Sequence, residues 1–244
     1  RLDPCVVALA LAPRHKSTSS ATEMTESPVA MACLEMGPPI EKSPLDSRCY
    51  RGFTLANRMK VLLVADPLSG KAAAAMDVLV GSFSDPDEIP GLAHLLEHML
   101  FLGTSNYPDE DSFENFLSEN QGYSNAHTTA ESTNYFFQLE TTRNKEQNDT
   151  QNDTFREALC MFAQFFVAPL FTESATTREL NAVDAEYEMQ RQTDIRKLYQ
   201  VKKSTANPQH PFHKFEAGSK QTLCNDHREK NIDLQCELFK FYNK

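Results

Sequence analysis

The chain has no Cys-x-x-Cys pair, no long apolar run, and fewer bases than acids. Each of these gaps excludes something. The six cysteines (Cys5, Cys33, Cys49, Cys160, Cys224 and Cys236) lack metal-ligand spacing, which argues against a cysteine zinc site. Six in 244 residues are also too few for a disulfide scaffold, so reduced thiols are expected. Cys160 is expected as a small buried hydrophobe on an apolar helix face. No stretch approaches the roughly 20 apolar residues of a membrane helix, so no membrane span is expected. With 24 Lys and Arg against 34 Asp and Glu, the formal net charge is −10. A nucleic-acid partner is disfavoured, because a phosphate backbone requires a basic face. What remains is 40% hydrophobic and 24% charged, a composition that excludes collagen, coiled coil and wholesale disorder. The length leaves ample room for a buried core.

The N-terminal segment supports several readings. Cys5 to Ala12 is an apolar run of the length of a signal core, with Ala10-Leu11-Ala12 at cleavage-like spacing. Arg1, Arg14, Lys16 and several serines suit a mitochondrial presequence instead. Residues 14–30 are rich in Ser, Thr and Glu without apolar period, as in a flexible tail. The expectation is a tail or targeting remnant over 1–39 and order from Ile40. A cytoplasmic location is expected, with mitochondrial and secreted ones as the alternatives.

Beyond Ile40 the pattern mixes strands and helices. Strand character over 58–66, turn residues at 67–70 and partial alternation over 75–83 predict a β-hairpin, overriding the helix propensity of Ala72–Ala75. Pro90 and Gly91 precede a helix over 93–102 that Gly103 ends. A second helix is expected over 109–119, then strands at 123–126 and 133–139. Residues 142–153 are uniformly polar, as in a surface loop. Thr154 can cap a helix with Phe155, Leu159, Phe162 and Phe166 on its core face. One long helix is expected over 175–200, a Pro-rich loop near 207–211 and a last helix over 233–241. His210 and His213 in that loop are read as structural.

The chemistry centres on His94-Leu95-Leu96-Glu97-His98. At about 100° per residue, His98 lies about 40° from His94 and Glu97 about 60° to the other side. Two imidazoles one turn apart can share a zinc ion, and the carboxylate beside them can take a proton from water on that ion. This is the HxxEH order, the inverse of HExxH. It arises by chance about twice in a hundred chains of this composition. A hydrolytic zinc needs a third protein ligand. Glu179 and Glu186, seven residues apart, project from one helix face, and spacing alone does not choose between them.

Three segments now carry a resemblance: GSFSDPDEIPGLAHLLEHMLFLGTSNYP, SNAHTTAESTNYFF and RELNAVDAEYE. They resemble the insulysin–nardilysin branch of the pitrilysin-type (inverzincin, M16) zinc metallopeptidases, over about Ile40 to Tyr242. The resemblance implies an α+β fold of LuxS and mitochondrial-processing-peptidase type, a mixed sheet flanked by helices. It implies one Zn2+ held by His94, His98 and Glu186. Glu97 becomes the general base and Glu179 the carboxylate that supports the site. A substrate peptide would add as a strand along Ser124, Asn125 and Ala126. His127 could tune side-chain preference there.

The implied activity is endoproteolysis of hormone- or amyloid-sized peptides. The alternatives are a dibasic-selective nardilysin-type enzyme and a non-catalytic fragment or partner subunit. Family members of this branch are about four times longer. The resemblance therefore implies that 40–244 is a truncated N-terminal zinc-peptidase domain, stopping before its closing strand and poorly active alone. Its partners would be the missing C-terminal half and, in the full-length form, a second copy in a homodimer.

Overall fold

In the computed structural model, residues 6–11, 33–66, 68–140, 150–225 and 232–244 are described. Seven strands form one mixed sheet: β1 (Val6–Leu11), β2 (Cys33–Met36), β3 (Cys49–Leu55), β4 (Lys60–Ala65), β5 (Lys71–Val78), β6 (Tyr123–Thr128) and β7 (Thr133–Glu140). Their spatial order is β2-β3-β4-β1-β5-β7-β6, with β1 parallel to β4 and every other pair antiparallel. Six α-helices among the described residues accompany it: α1 (Leu92–Met99), α2 (Ser112–Glu119), α3 (Thr150–Gln164), α4 (Glu173–Gln190), α5 (Asp194–Ser204) and α6 (Leu234–Tyr242). The architecture is the expected α+β one.

Several expectations need correction. The 60–83 hairpin does not form: β4 and β5 are separated by β1, which bonds to both. Residues 66–70 need only bridge two strand spacings, about 10 Å, which their length permits. β5 also starts at Lys71, so all four alanines are extended, where their small side chains suit a crowded central strand. The stretch expected as a tail over 1–39 contains β1 and β2; residues 1–5 and 12–32 lie outside the described residues. The long helix over 175–200 is two, α4 and α5, divided at 191–193. Thr193 and Asp194 are helix-start residues inside an otherwise continuous pattern. The polar segment lies outside the described residues over 141–149, and α3 already includes Thr150. Cys160 is exposed rather than buried.

Alternation along β7 buries Thr133, Tyr135, Phe137 and Leu139 against the helices. Phe113 of α2 and Phe162 of α3 meet Phe137 edge-to-face and each other stacked, and Phe165, just past the end of α3, meets Phe113 edge-to-face, with centroids 5.0–6.3 Å apart. Leu92, Leu95 and Met99 lie on the buried face of α1 and are fully enclosed. That burial fixes the rotation of α1 and turns His94 and His98 the other way. A half-open apolar cavity of about 350 Å³ lies behind α1, lined in part by Met76, Leu96, Tyr135 and Tyr242. No described helix is long and apolar enough to cross a membrane.

Candidate metal centre

α1 begins in an unusual way. Gly91 has φ +96°, and a Cβ there would overlap the backbone of Gly218. The helix is capped by Asp85, which is 2% exposed. Its carboxylate accepts from Gly91 N at 2.7 Å and Ala93 N at 2.8 Å. These satisfy donors that a helix start otherwise leaves open, and place negative charge at the positive end of the dipole. Burial pushes the Asp85 carboxyl up to about 7, against those two hydrogen bonds and the nearby Lys214 and Lys203 charges.

One turn apart on α1, the imidazoles of His94 and His98 stand nearly perpendicular with centroids 4.9 Å apart. α4 crosses in front of them. Glu186 Oε2 lies 3.6 Å from Nε2 of His94 and 3.6 Å from Nε2 of His98. Each of the three residues offers a donor atom within 4.8 Å of the other two. A tetrahedron with ligands about 2.1 Å from its centre has edges of about 3.4 Å, so this donor set fits a zinc ion. The remaining polar atoms have partners. His98 Nδ1 donates to Glu179 Oε2 at 2.9 Å, and His94 Nδ1 donates to the Ala217 carbonyl at 2.6 Å. Gln190 donates to Glu186 Oε1.

Electrostatics follow from this crowding. Burial pulls His98 down, but hydrogen bonds with Glu179 and Glu186 and the nearby charges of Glu179 and Glu97 outweigh it, and without metal the imidazole is pushed up to about 9. Glu186 is lowered, chiefly by its hydrogen bond with His98, against partial burial and with help from His94 and Arg196. Glu97 is 8% exposed and accepts from the Thr128 hydroxyl of β6. Thr128 in turn faces the Thr133 hydroxyl at 3.2 Å.

His94, Glu97, His98, Glu179 and Glu186 converge, and Glu179 and Glu186 divide their work: one meets Nδ1 of His98, the other both Nε2 atoms. Ser124, Asn125 and Ala126 lie on β6, the edge strand next to α1. Ser124 donates to Glu114 of α2, and Asn125 Oδ1 accepts from Ala126 N at 2.9 Å. His127 is exposed on the same strand, and His210 and His213 bond within their own loop. Thr128, Asp85, Ala217 and Gly218 were not anticipated. Thr128 and Asp85 stand inside the motif segments, whereas the Ala217 carbonyl has no side-chain signature at all.

Two histidines and a glutamate around one point, with another glutamate on the same helix, define a metallohydrolase-type site. Comparison with known proteins agrees. The family described as Insulinase (Peptidase family M16) matches residues 60–209. Human insulin-degrading enzyme is 48% identical over 212 residues, covering 87% of this chain and 20% of that protein. A putative zinc protease of Caenorhabditis elegans is 43% identical over 203 residues, covering 83% of this chain and 22% of that protein. A crystal structure of pitrilysin superposes with a TM-score of 0.78 at 35% identity, covering 87% of this chain and 21% of that one. The chain belongs to peptidase family M16, the insulinase family of zinc metallopeptidases. It spans about a fifth of the length of these relatives.

Proposed function

We propose that the chain carries the zinc centre of an insulysin-like endopeptidase, acting on peptides of hormone or amyloid size. The convergence of His94, His98 and Glu186 with Glu97 alongside is the observation that carries this reading. His94 and His98 would hold the ion through Nε2 and Glu186 through Oε2. Bound zinc supplies a polarised carbonyl and a water whose pKa falls towards about 7. Glu97 would serve as the general base towards water and return the proton to the leaving amine. The Thr128 hydroxyl holds one oxygen of Glu97, which leaves the other free of that bond for the base's role. Glu179 keeps the proton of His98 on Nδ1 and so frees Nε2 for the metal.

Substrate adds along β6, whose outer edge is unpaired among the described strands. Backbone pairing there reads no sequence, so cleavage tolerates many peptides. Before docking, the Asn125 side chain must release the Ala126 N–H that it covers. The name of the human relative points to peptides of insulin size. Because the chain matches a fifth of its relatives, the isolated polypeptide is expected to hydrolyse weakly and to reach full activity with the remaining part of a relative-length enzyme.

Glu97→Gln tests the mechanism. It should bind zinc as the wild type does and lose all cleavage of a fluorogenic peptide panel. Cleavage equal to that of the wild type would remove Glu97 from the mechanism. The same panel separates broad cleavage from strictly dibasic cleavage.

A further inference from the structure

His98 is oriented by a carboxylate, but His94 relies on a backbone atom. The Ala217 carbonyl that meets Nδ1 of His94 belongs to a loop with two charged tethers. On one side, Lys214 Nζ donates to the Asp85 carbonyl at 2.7 Å and pairs with Asp87 at 2.9 Å. On the other, Lys203 of α5 is 1% exposed, with its Nζ 2.6 Å from Glu216 and 5.4 Å from the ring centroids of Tyr199 and Phe212. Gly218, at φ +76°, rests directly on Gly91 at the start of α1. The loop therefore grips both the cap of the helix and its first histidine.

The direction of the His94 contact matters chemically. A carbonyl can only accept, so it fixes the proton on Nδ1 and leaves the lone pair on Nε2. That is the nitrogen facing Glu186. We propose that the Lys214–Gly218 loop is the positioning element of His94, selecting its tautomer and aiming Nε2 at the metal, with Lys214 as its positioning residue. This rests on reading His94, His98 and Glu186 as the zinc site. The side chain of residue 217 has no part in it; the loop's tethers do.

The test uses the whole chain and zinc itself. Zinc affinity is read by competition with a chromophoric chelator. The His94 tautomer in metal-free protein is read by long-range 1H–15N NMR, and folding by far-UV circular dichroism. Lys214→Met should stay folded, bind zinc about 10–100-fold more weakly and show mixed His94 tautomers, as losses of orienting partners typically do. Lys214→Arg should restore most of the affinity. Coulomb's law alone predicts the opposite sign, since removing a cation near a cation site favours the ion. A folded Lys214→Met chain with wild-type affinity and a single Nδ1–H tautomer overturns the inference.

If Lys214→Met does not fold, Gly218→Ala takes its place with the same expectation. Its methyl would meet Leu223 Cδ1 at 2.9 Å and strain the positive φ. Wild-type chain that binds no zinc, or His94→Ala that binds it equally well, overturns the site reading and the inference with it.

Discussion

His98 is gripped by two carboxylates, Glu179 at Nδ1 and Glu186 near Nε2. In metal-free protein this keeps it charged up to about pH 9, against an ordinary value of 6.5. The folded pKa is raised, so the stabilisation it brings is complete below pH 6.5 and is lost as pH rises through about 9. At the proposed site, zinc would compete with that same proton. Affinity should therefore climb by about tenfold per pH unit until about pH 9 and then level off, as measured by chelator competition across pH. A flat profile from pH 7 to 9 would show that His98 is already neutral.

The triplet on α1 was legible because i, i+3 and i+4 share a helix face whatever the tertiary structure. The choice between Glu179 and Glu186 was not, since both project from α4 together and only the packing of α4 on α1 separates them. Thr128 was equally hidden, because its bond to Glu97 depends on the register of β6 against a helix.

At the scale of elements, α1 is a two-turn helix and too short to be stable by itself. Its enclosed leucines and its cap hold it. Asp85→Ala would leave the Gly91 and Ala93 N–H groups buried without partners. A loss of about 2 kcal/mol in chemical denaturation is expected, with weakened zinc binding alongside. A change within error would show that water replaces the cap. Element types were mostly legible from periodicity: α2, α6, β6 and β7 lie where apolar spacing and capping residues place them. Two connections were not. The division of α4 from α5 turns on Thr193-Asp194, and local pattern cannot weigh a start signal against continuity. The separation of β4 from β5 depends on a strand from far upstream, which no local turn signal reports.

Considered whole, the molecule buries its aromatic residues well but leaves a stripe uncovered. Ile195, Leu198 and Val201 on α5 are 71%, 67% and 59% exposed, while only Tyr199 and Lys203 turn inward. Contiguous apolar surface of this kind promotes association in a chain studied alone. The triple variant Ile195→Ser, Leu198→Ser and Val201→Ser should aggregate less by light scattering. Each change should cost about 0.5 kcal/mol or less, because it removes almost no buried area. A large fall in the unfolding midpoint would instead show that the stripe packs against the body.

The position of β1 has a consequence in time. β4 and β5 are joined only by residues 66–70. Strands so close in sequence can meet within about 1–10 μs, whereas β1 pairs with them from far upstream, with β2 and β3 between it and β4 in the chain. A transient β4–β5 pair is therefore expected to precede the sheet that closes around Val6–Leu11. The hairpin written in the sequence is thus the kinetic rival of the strand that finally divides it.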